Sequence, residues 1–184
     1  MNYGEIKFLD VADGEGVRVS LFVSGCRNKC KGCFNEKTWD FNYGSPFTKE
    51  IEDKIIEALK PAYISGLTVL GGEPFEPENQ EALVPFIKRV RELYPNKTIW
   101  MYSGYTMDKE MIPLNGKVHT KYTMDILNSI DILVDGRFVC ELLNLALKFR
   151  GSSNQRIIDV KESLKENKII LSHLNDYKDF KPEE

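Results

Sequence analysis

Three cysteines, Cys26, Cys30 and Cys33, fall within eight residues as C-x3-C-x2-C, directly after the apolar, β-branched run from Val17 to Ser24, VRVSLFVS. Such a run reads as a strand, so the fold must end a strand where three thiols share one short loop. Iron-sulfur clusters are held by thiolates, usually four, and three on one loop would leave one iron free for a ligand other than protein. A structural zinc site is closed by four protein ligands at paired spacings. Only Cys140, His119 and His173 remain to complete one, and all are distant in sequence. Crowded free thiols, the third alternative, oxidise readily. The loop points to an iron-sulfur centre with an open position, and zinc stays as a second reading.

Strand-like and helix-like segments alternate after that loop. Thr48 is an N-cap for a helix with Ile51, Ile55, Ile56 and Leu59 on one face, ended by Pro61. Leu67 to Leu70 reads as a short buried strand between glycines, and Glu78 to Tyr94 as a helix burying Leu83, Phe86, Ile87, Val90 and Leu93, kinked at Pro85. Strands follow at Thr98 to Tyr102 and Ile130 to Val134, separated by a helix over Lys121 to Ser129, with a further strand at Arg156 to Val160. This alternation implies parallel strands with helical crossovers, too few for the eight units of a closed barrel. The expected fold is α/β, an open partial (β/α) barrel.

With 184 residues, 42% of them hydrophobic, the chain is long enough for one sizeable core and short for two domains. The expectation is one domain over 1–184, with a core from about 3 to 160. A charged, peripheral helix and a frayed tail ending in KPEE make up 161–184. The net charge of -3 gives no footprint for nucleic acid. No apolar run approaches the roughly 18 residues of a membrane span, and the N-terminus lacks a signal-peptide core. A cytoplasmic protein is expected, and the clustered cysteines suit a reducing compartment.

Five segments taken in order resemble the activating enzymes of anaerobic (class III) ribonucleotide reductase, within the radical S-adenosylmethionine (SAM) superfamily. They are Asp13-Gly14-Glu15-Gly16 running into the cysteine loop and on through Phe34-Asn35 and Thr38-Trp39; Gly71-Gly72-Glu73-Pro74; Tyr102-Ser103-Gly104-Tyr105; Asp131 to Phe138; and Arg150 to Arg156. The resemblance implies a shortened radical SAM partial barrel. It also implies that Cys26, Cys30 and Cys33 hold a [4Fe-4S] cluster whose fourth iron binds SAM. Cleavage of SAM would install a glycyl radical on the catalytic subunit of the reductase, with a flavodoxin-like protein as one-electron donor.

The resemblance places the methionine end of SAM on Gly71 and Gly72, where absent side chains let a ligand approach the backbone. Glu73 would accept from the SAM ammonium, and Pro74 would stiffen the turn. The superfamily usually carries an aromatic residue before the third cysteine; here that position is Gly32, and its backbone with the ring of Phe34 would serve the adenosyl group. Ser103 and Asp135 each follow a strand, where ligands of α/β folds bind, and either is a contact for the ribose or carboxylate of SAM, although Asp135-Gly136 also reads as a plain turn. Arg18 is open between a site and a structural role, and the loop Arg150 to Arg156 between a solvated loop and a partner contact. Cys140 is expected as a small buried hydrophobe, with His119 and His173 as bystanders. Other readings are activation of a different glycyl-radical enzyme, action on a small molecule, and a zinc or electron-transfer module without catalysis.

Overall fold

Seven strands, the central ones rich in β-branched and aromatic residues, pair into one sheet. The computed structural model describes residues 1–176, so the KPEE end of the tail lies outside the described residues. The strands are β1 (Asn2–Asp10), β2 (Val17–Val23), β3 (Ser45–Pro46), β4 (Ile64–Gly71), β5 (Thr98–Tyr102), β6 (Ile132–Asp135) and β7 (Arg156–Asp159), in the order β3-β1-β2-β4-β5-β6-β7. Strands β2, β4, β5 and β6 run parallel. Helices α1 (Lys49–Ala58), α2 (Pro77–Leu93) and α3 (Thr123–Ser129) make their crossovers, and α4 (Val160–Glu166) follows β7. Among the described residues no helix is long and apolar enough to cross a membrane.

The sheet is mixed rather than parallel throughout. β1 is antiparallel to β2, β3 to β1, and β7 to β6. Parallel pairing needs a crossover, usually helical; no α-helix separates β6 from β7, so the chain folds back and pairs antiparallel. The sheet is open, not closed on itself, as expected. Helix α4 takes over at Val160, where a strand was expected to end, because Asp159 accepts from the Glu162 amide at 3.0 Å and caps the helix. Thr48 occupies the N-cap position of α1 without a side-chain bond, and α2 continues through Pro85.

Strand alternation sorts side chains to two faces. Val19, Leu21, Val23, Leu67, Val69, Ile99, Met101 and Leu133 pack with Ile55, Leu83, Phe86, Ile87 and Ile126 of the helices in the main core. The other face carries Arg18, Ser20, Phe22, Thr68, Leu70, Trp100 and Tyr102. Beyond α4 the chain returns to the sheet edge: Leu171 bridges Ile158, and Leu174 packs with Trp100, Val134 and Ile157.

Arg18 is fully buried on that second face and donates all five of its N–H groups to neutral acceptors. Nε reaches Thr68 Oγ1 at 2.7 Å; Nη1 reaches Glu15 O and Thr98 Oγ1 at 3.1 and 2.9 Å; Nη2 reaches Leu67 O and Thr98 O at 2.8 and 3.0 Å. Its guanidinium also lies 5.3 Å from the Trp100 ring centroid. Burial brings its pKa down to about 10. Arg18 is therefore structural, bolting β2, β4 and β5 together. Arg18→Met strands several buried acceptors and is expected to cost about 3 kcal/mol in urea unfolding; a loss below about 0.5 kcal/mol would contradict this role.

Candidate metal centre

The cysteine loop and the GGEP turn form one unit at the carboxyl ends of β2 and β4, where Val23 and Gly71 are register partners. Pairing continues past the strands: Gly72 N donates to Val23 O at 2.7 Å and Glu73 N to Gly25 O at 2.9 Å. No side chain fits here. A Cβ on Gly72 would stand 2.7, 2.9 and 3.0 Å from the carbonyl oxygens of Gly25, Thr38 and Val23. Gly25, at φ +97°, has Phe41 2.3 Å from where its Cβ would sit.

The first turn of α2 clamps this unit with buried polar side chains. Asn79 Nδ2 donates to Ser24 O at 3.0 Å and to Glu73 O at 2.9 Å. Glu76, 1% exposed, accepts from Arg27 N at 2.8 Å, from Arg27 Nη1, and from Tyr105 Oη at 3.2 Å. Arg27 also forks onto Glu78 and lies over the Phe41 ring, 4.5 Å from its centroid. Sequence reading missed this clamp. Polar residues in a first helical turn look like a solvated end, and only Asn and Gln at consecutive positions 79 and 80 inside the apolar periodicity hint otherwise.

Glu73 is enclosed by four donors. Oε1 accepts from Phe75 N at 3.0 Å and Ser103 Oγ at 2.7 Å; Oε2 accepts from Gly104 N at 2.7 Å and Asn28 Nδ2 at 3.1 Å. Burial nevertheless pushes its carboxyl up to about 7, against the pull of those bonds and with help from Glu76.

Cys26, Cys30 and Cys33 open with Phe34, Gly71, Gly72, Glu73 and Ser103 onto one cavity of about 540 Å³. All three thiols are free. Backbone N–H groups face each sulfur: those of Asn28 and Lys29 face Cys26, that of Phe138 faces Cys30, and that of Asn35 donates to Cys33 Sγ at 3.4 Å. Burial and the Glu73 charge push the Cys26 thiol up to about 12, and burial raises Cys30. Without a metal these groups stay protonated; bound metal must supply the positive charge that the thiolates need. Among the described residues no three His, Cys, Asp or Glu side chains gather closely enough for a single ion. Three sulfurs around a common cavity, each met by amide hydrogens, suit a polynuclear cluster with hydrogen-bonded thiolates.

Pro74, Gly32 and Asp135 lie outside the cavity wall. Pro74 is buried beneath the turn. Gly32 is exposed, and a Cβ there would stand 3.2 Å from Cys140 Sγ. Cys140 is half-exposed and covers the outside of the cysteine loop, not the buried apolar position expected of it. Phe34 is 69% exposed and packs on Phe138 at 5.2 Å. Asp135, read as either a SAM contact or a plain turn, is already engaged within the protein. Its fully buried carboxylate is taken by Arg156, its partner across β6 and β7, at 2.8 and 2.6 Å, and by Met107 N at 2.8 Å. None of the residues that would close a zinc site lines the cavity; His119 Nδ1 is bonded to Met111 O at 2.7 Å.

At the far end of the cavity, Asp13 faces Asp10. Burial, then the hydrogen bond and charge of Asp10, push Asp13 up to about 7, opposed by Lys7. Asp10 stays low despite burial, through Asp13, Ser20 and the Ala12 amide at 2.9 Å. A raised folded pKa contributes stability that is complete below the unfolded value of 3.8 and is lost as pH rises through about 7. Asp13→Asn, which never ionises, should therefore gain thermal stability over the parent at pH 8 and show a smaller gain at pH 5; a gap independent of pH would refute the assignment. In the clamp, Asn79→Asp turns an acceptor toward carbonyl oxygens and should lose more stability than Asn79→Ala, itself about 1–3 kcal/mol. Equal unfolding midpoints for the parent and both variants would count against the clamp.

Comparison with known proteins gives the family. Residues 12–158 match the family described as a 4Fe-4S single cluster domain. The protein is thus of the class that builds one iron-sulfur cluster on a compact α/β frame. Within that class, the chain is 42% identical over 157 residues to the anaerobic ribonucleoside-triphosphate reductase-activating protein of Salmonella typhi, covering 84% of this chain and 96% of that protein. The protein of the same name from Haemophilus influenzae is 43% identical over 159 residues, 85% of this chain and 97% of its own length. That of Enterobacteria phage T4 is 36% identical over 157 residues, 85% and 93%. The chain belongs to the anaerobic ribonucleoside-triphosphate reductase-activating protein family.

Proposed function

We propose that this protein is a radical SAM activase that generates a glycyl radical on the catalytic subunit of anaerobic ribonucleotide reductase. The observation that carries the reading is the convergence of three amide-faced thiols and the Gly71-Gly72-Glu73 turn on one cavity, in a chain of this family. Cys26, Cys30 and Cys33 would hold a [4Fe-4S] cluster. When bound, such a cluster with an open iron supplies the electron that cleaves SAM to methionine and a 5′-deoxyadenosyl radical.

The chain's own residues orient and shield. Gly71 and Gly72 leave room for the methionine end of SAM. Glu73 already has four donors, so the SAM ammonium reaches it by replacing the Asn28 amide, the one side-chain donor from the cysteine loop. Ser103 holds Glu73 in place from the end of β5. Phe34, on the cavity wall, is the ring available to the adenosyl group. Asp135 acts at a distance, fixing Arg156 and the Met107 turn. The open sheet is read as the partial barrel of radical SAM enzymes and residues 1–184 as one domain, with a flavodoxin-like carrier as electron donor in the cytoplasm.

Anaerobically reconstituted protein, reduced with dithionite and mixed with SAM and the reductase subunit, is expected to give the EPR doublet of a glycyl radical together with 5′-deoxyadenosine and methionine. Cleavage without a protein radical would move the reading to another substrate. Cys30→Ala is expected to abolish cleavage; an intact cluster with retained cleavage would remove Cys30 from the ligand set.

A further inference from the structure

Asn28 is the member of the Glu73 cage best placed to leave it. Phe75 N and Gly104 N are backbone donors, and Ser103 Oγ is buried and itself fixed by the Tyr105 amide at 3.0 Å. Asn28 instead reaches Glu73 from the cysteine loop, half-buried, by the longest of the four bonds at 3.1 Å. Its amide is held from behind, where Arg137 Nε donates to Asn28 Oδ1 at 3.0 Å. A guanidinium only donates and an ionised carboxylate only accepts, so these two neighbours leave the amide one orientation, with its NH2 toward Glu73. Arg137 is itself half-exposed, with Glu110 3.6 Å away, and it is not part of the cavity wall, whereas Asn28 is. Gly104 bounds the same spot: a Cβ there would stand 2.5 Å from Asn28 Nδ2 and 3.4 Å from Glu73 Oε2. A donor nitrogen fits between Glu73 and residue 104 only because that residue carries no side chain.

We propose that Asn28, aimed by Arg137, is a gate on the ammonium subsite for SAM: its NH2 stands where the ligand's amino group belongs and must swing out for that group to enter. The inference rests on the activase reading and adds to it a positioning residue, Arg137, and a glycine that shapes the subsite, Gly104. A neutral amide suits the role. It gives a buried carboxylate a donor that would otherwise be missing, yet a cation makes the stronger, charge-assisted bond and displaces it. A ligand without an amino group gains nothing at Glu73 and leaves the gate shut.

The test is calorimetric binding to the reconstituted protein at pH 8 of SAM and of a SAM analogue that lacks the amino group. Asn28→Ala removes the amide that has to be displaced and is expected to bind SAM about five-fold tighter, with affinity for the analogue unchanged. Arg137→Met leaves the cysteine loop intact and should give a smaller gain in the same direction, but none when added to Asn28→Ala, since Arg137 acts only through Asn28. Gly104 has no positive φ to preserve, so Gly104→Ala mainly fills the place of the ammonium; it should cost about ten-fold in SAM affinity with or without Asn28 and spare the analogue. SAM affinity unchanged or lowered in Asn28→Ala, an equal gain for SAM and the analogue, or an Arg137→Met effect that persists without Asn28 each overturn the gate. Gly104→Ala binding SAM as the parent does overturns the placement of the ammonium. Should Asn28→Ala fail to take up its cluster, Arg137→Met decides alone: tighter SAM binding supports the gate, and parent-like binding sinks it. A parent that binds neither ligand overturns the activase reading as well.

Discussion

The extension of β-type pairing beyond the ends of β2 and β4 is what the rest of the site depends on. Gly72 and Glu73 bond to Val23 and Gly25, which fixes the distance between the cysteine loop and the GGEP turn to that of neighbouring strands. Two motifs separated by some forty residues of sequence thereby behave as one rigid object. Its rigidity comes from the backbone, and the glycines are there because carbonyl oxygens occupy the space a Cβ would need. Asn79 then seals the pair from beneath, an amide whose hydrogens match the carbonyls that the turn leaves over.

Around that unit the protein buries charge sparingly and always with partners. Glu76 holds Arg27, Asp135 holds Arg156, and Glu73 is wrapped in neutral donors. The first two are ion pairs whose loss would leave a buried charge unmatched, which is costly. The third differs: with neutral donors only and a pKa near 7, Glu73 sits close to the balance between its charged and neutral forms. A cation arriving beside it would settle that balance toward the carboxylate.

The frame was readable in the sequence where one face is buried. Val17–Val23, the Leu67 to Leu70 part of Ile64–Gly71, and Thr98–Tyr102 announce themselves through apolar and β-branched residues, and α2 through its 3.6-residue period. β1 did not, because its burial is shallow and its register slips midway. The cysteines and GGEP stood out by composition and spacing, and their loops lie side by side at the ends of β2 and β4. The engagement of Asp135 was not legible because its partner Arg156 is brought opposite it by an antiparallel strand that the alternation of elements did not foretell. Arg27, Glu76 and Asn79 were illegible for a related reason: their value lies in contacts between loops, and no local period encodes those.

An unclosed sheet presents two edges, and bare edges recruit other strands. Here one edge is β3, two residues long and containing Pro46. The other is β7, screened by the returning chain at Leu171 and Ser172, which bonds Ile157 at 2.8 Å and lies beyond the residues 12–158 shared with the family model. β7 is thus screened, whereas β3 covers only Asn2 and Tyr3 of β1 and leaves the rest of that strand's outer edge uncovered. The two borders of the sheet therefore differ: one is closed off by its own returning chain, and the other carries its protection at a single end.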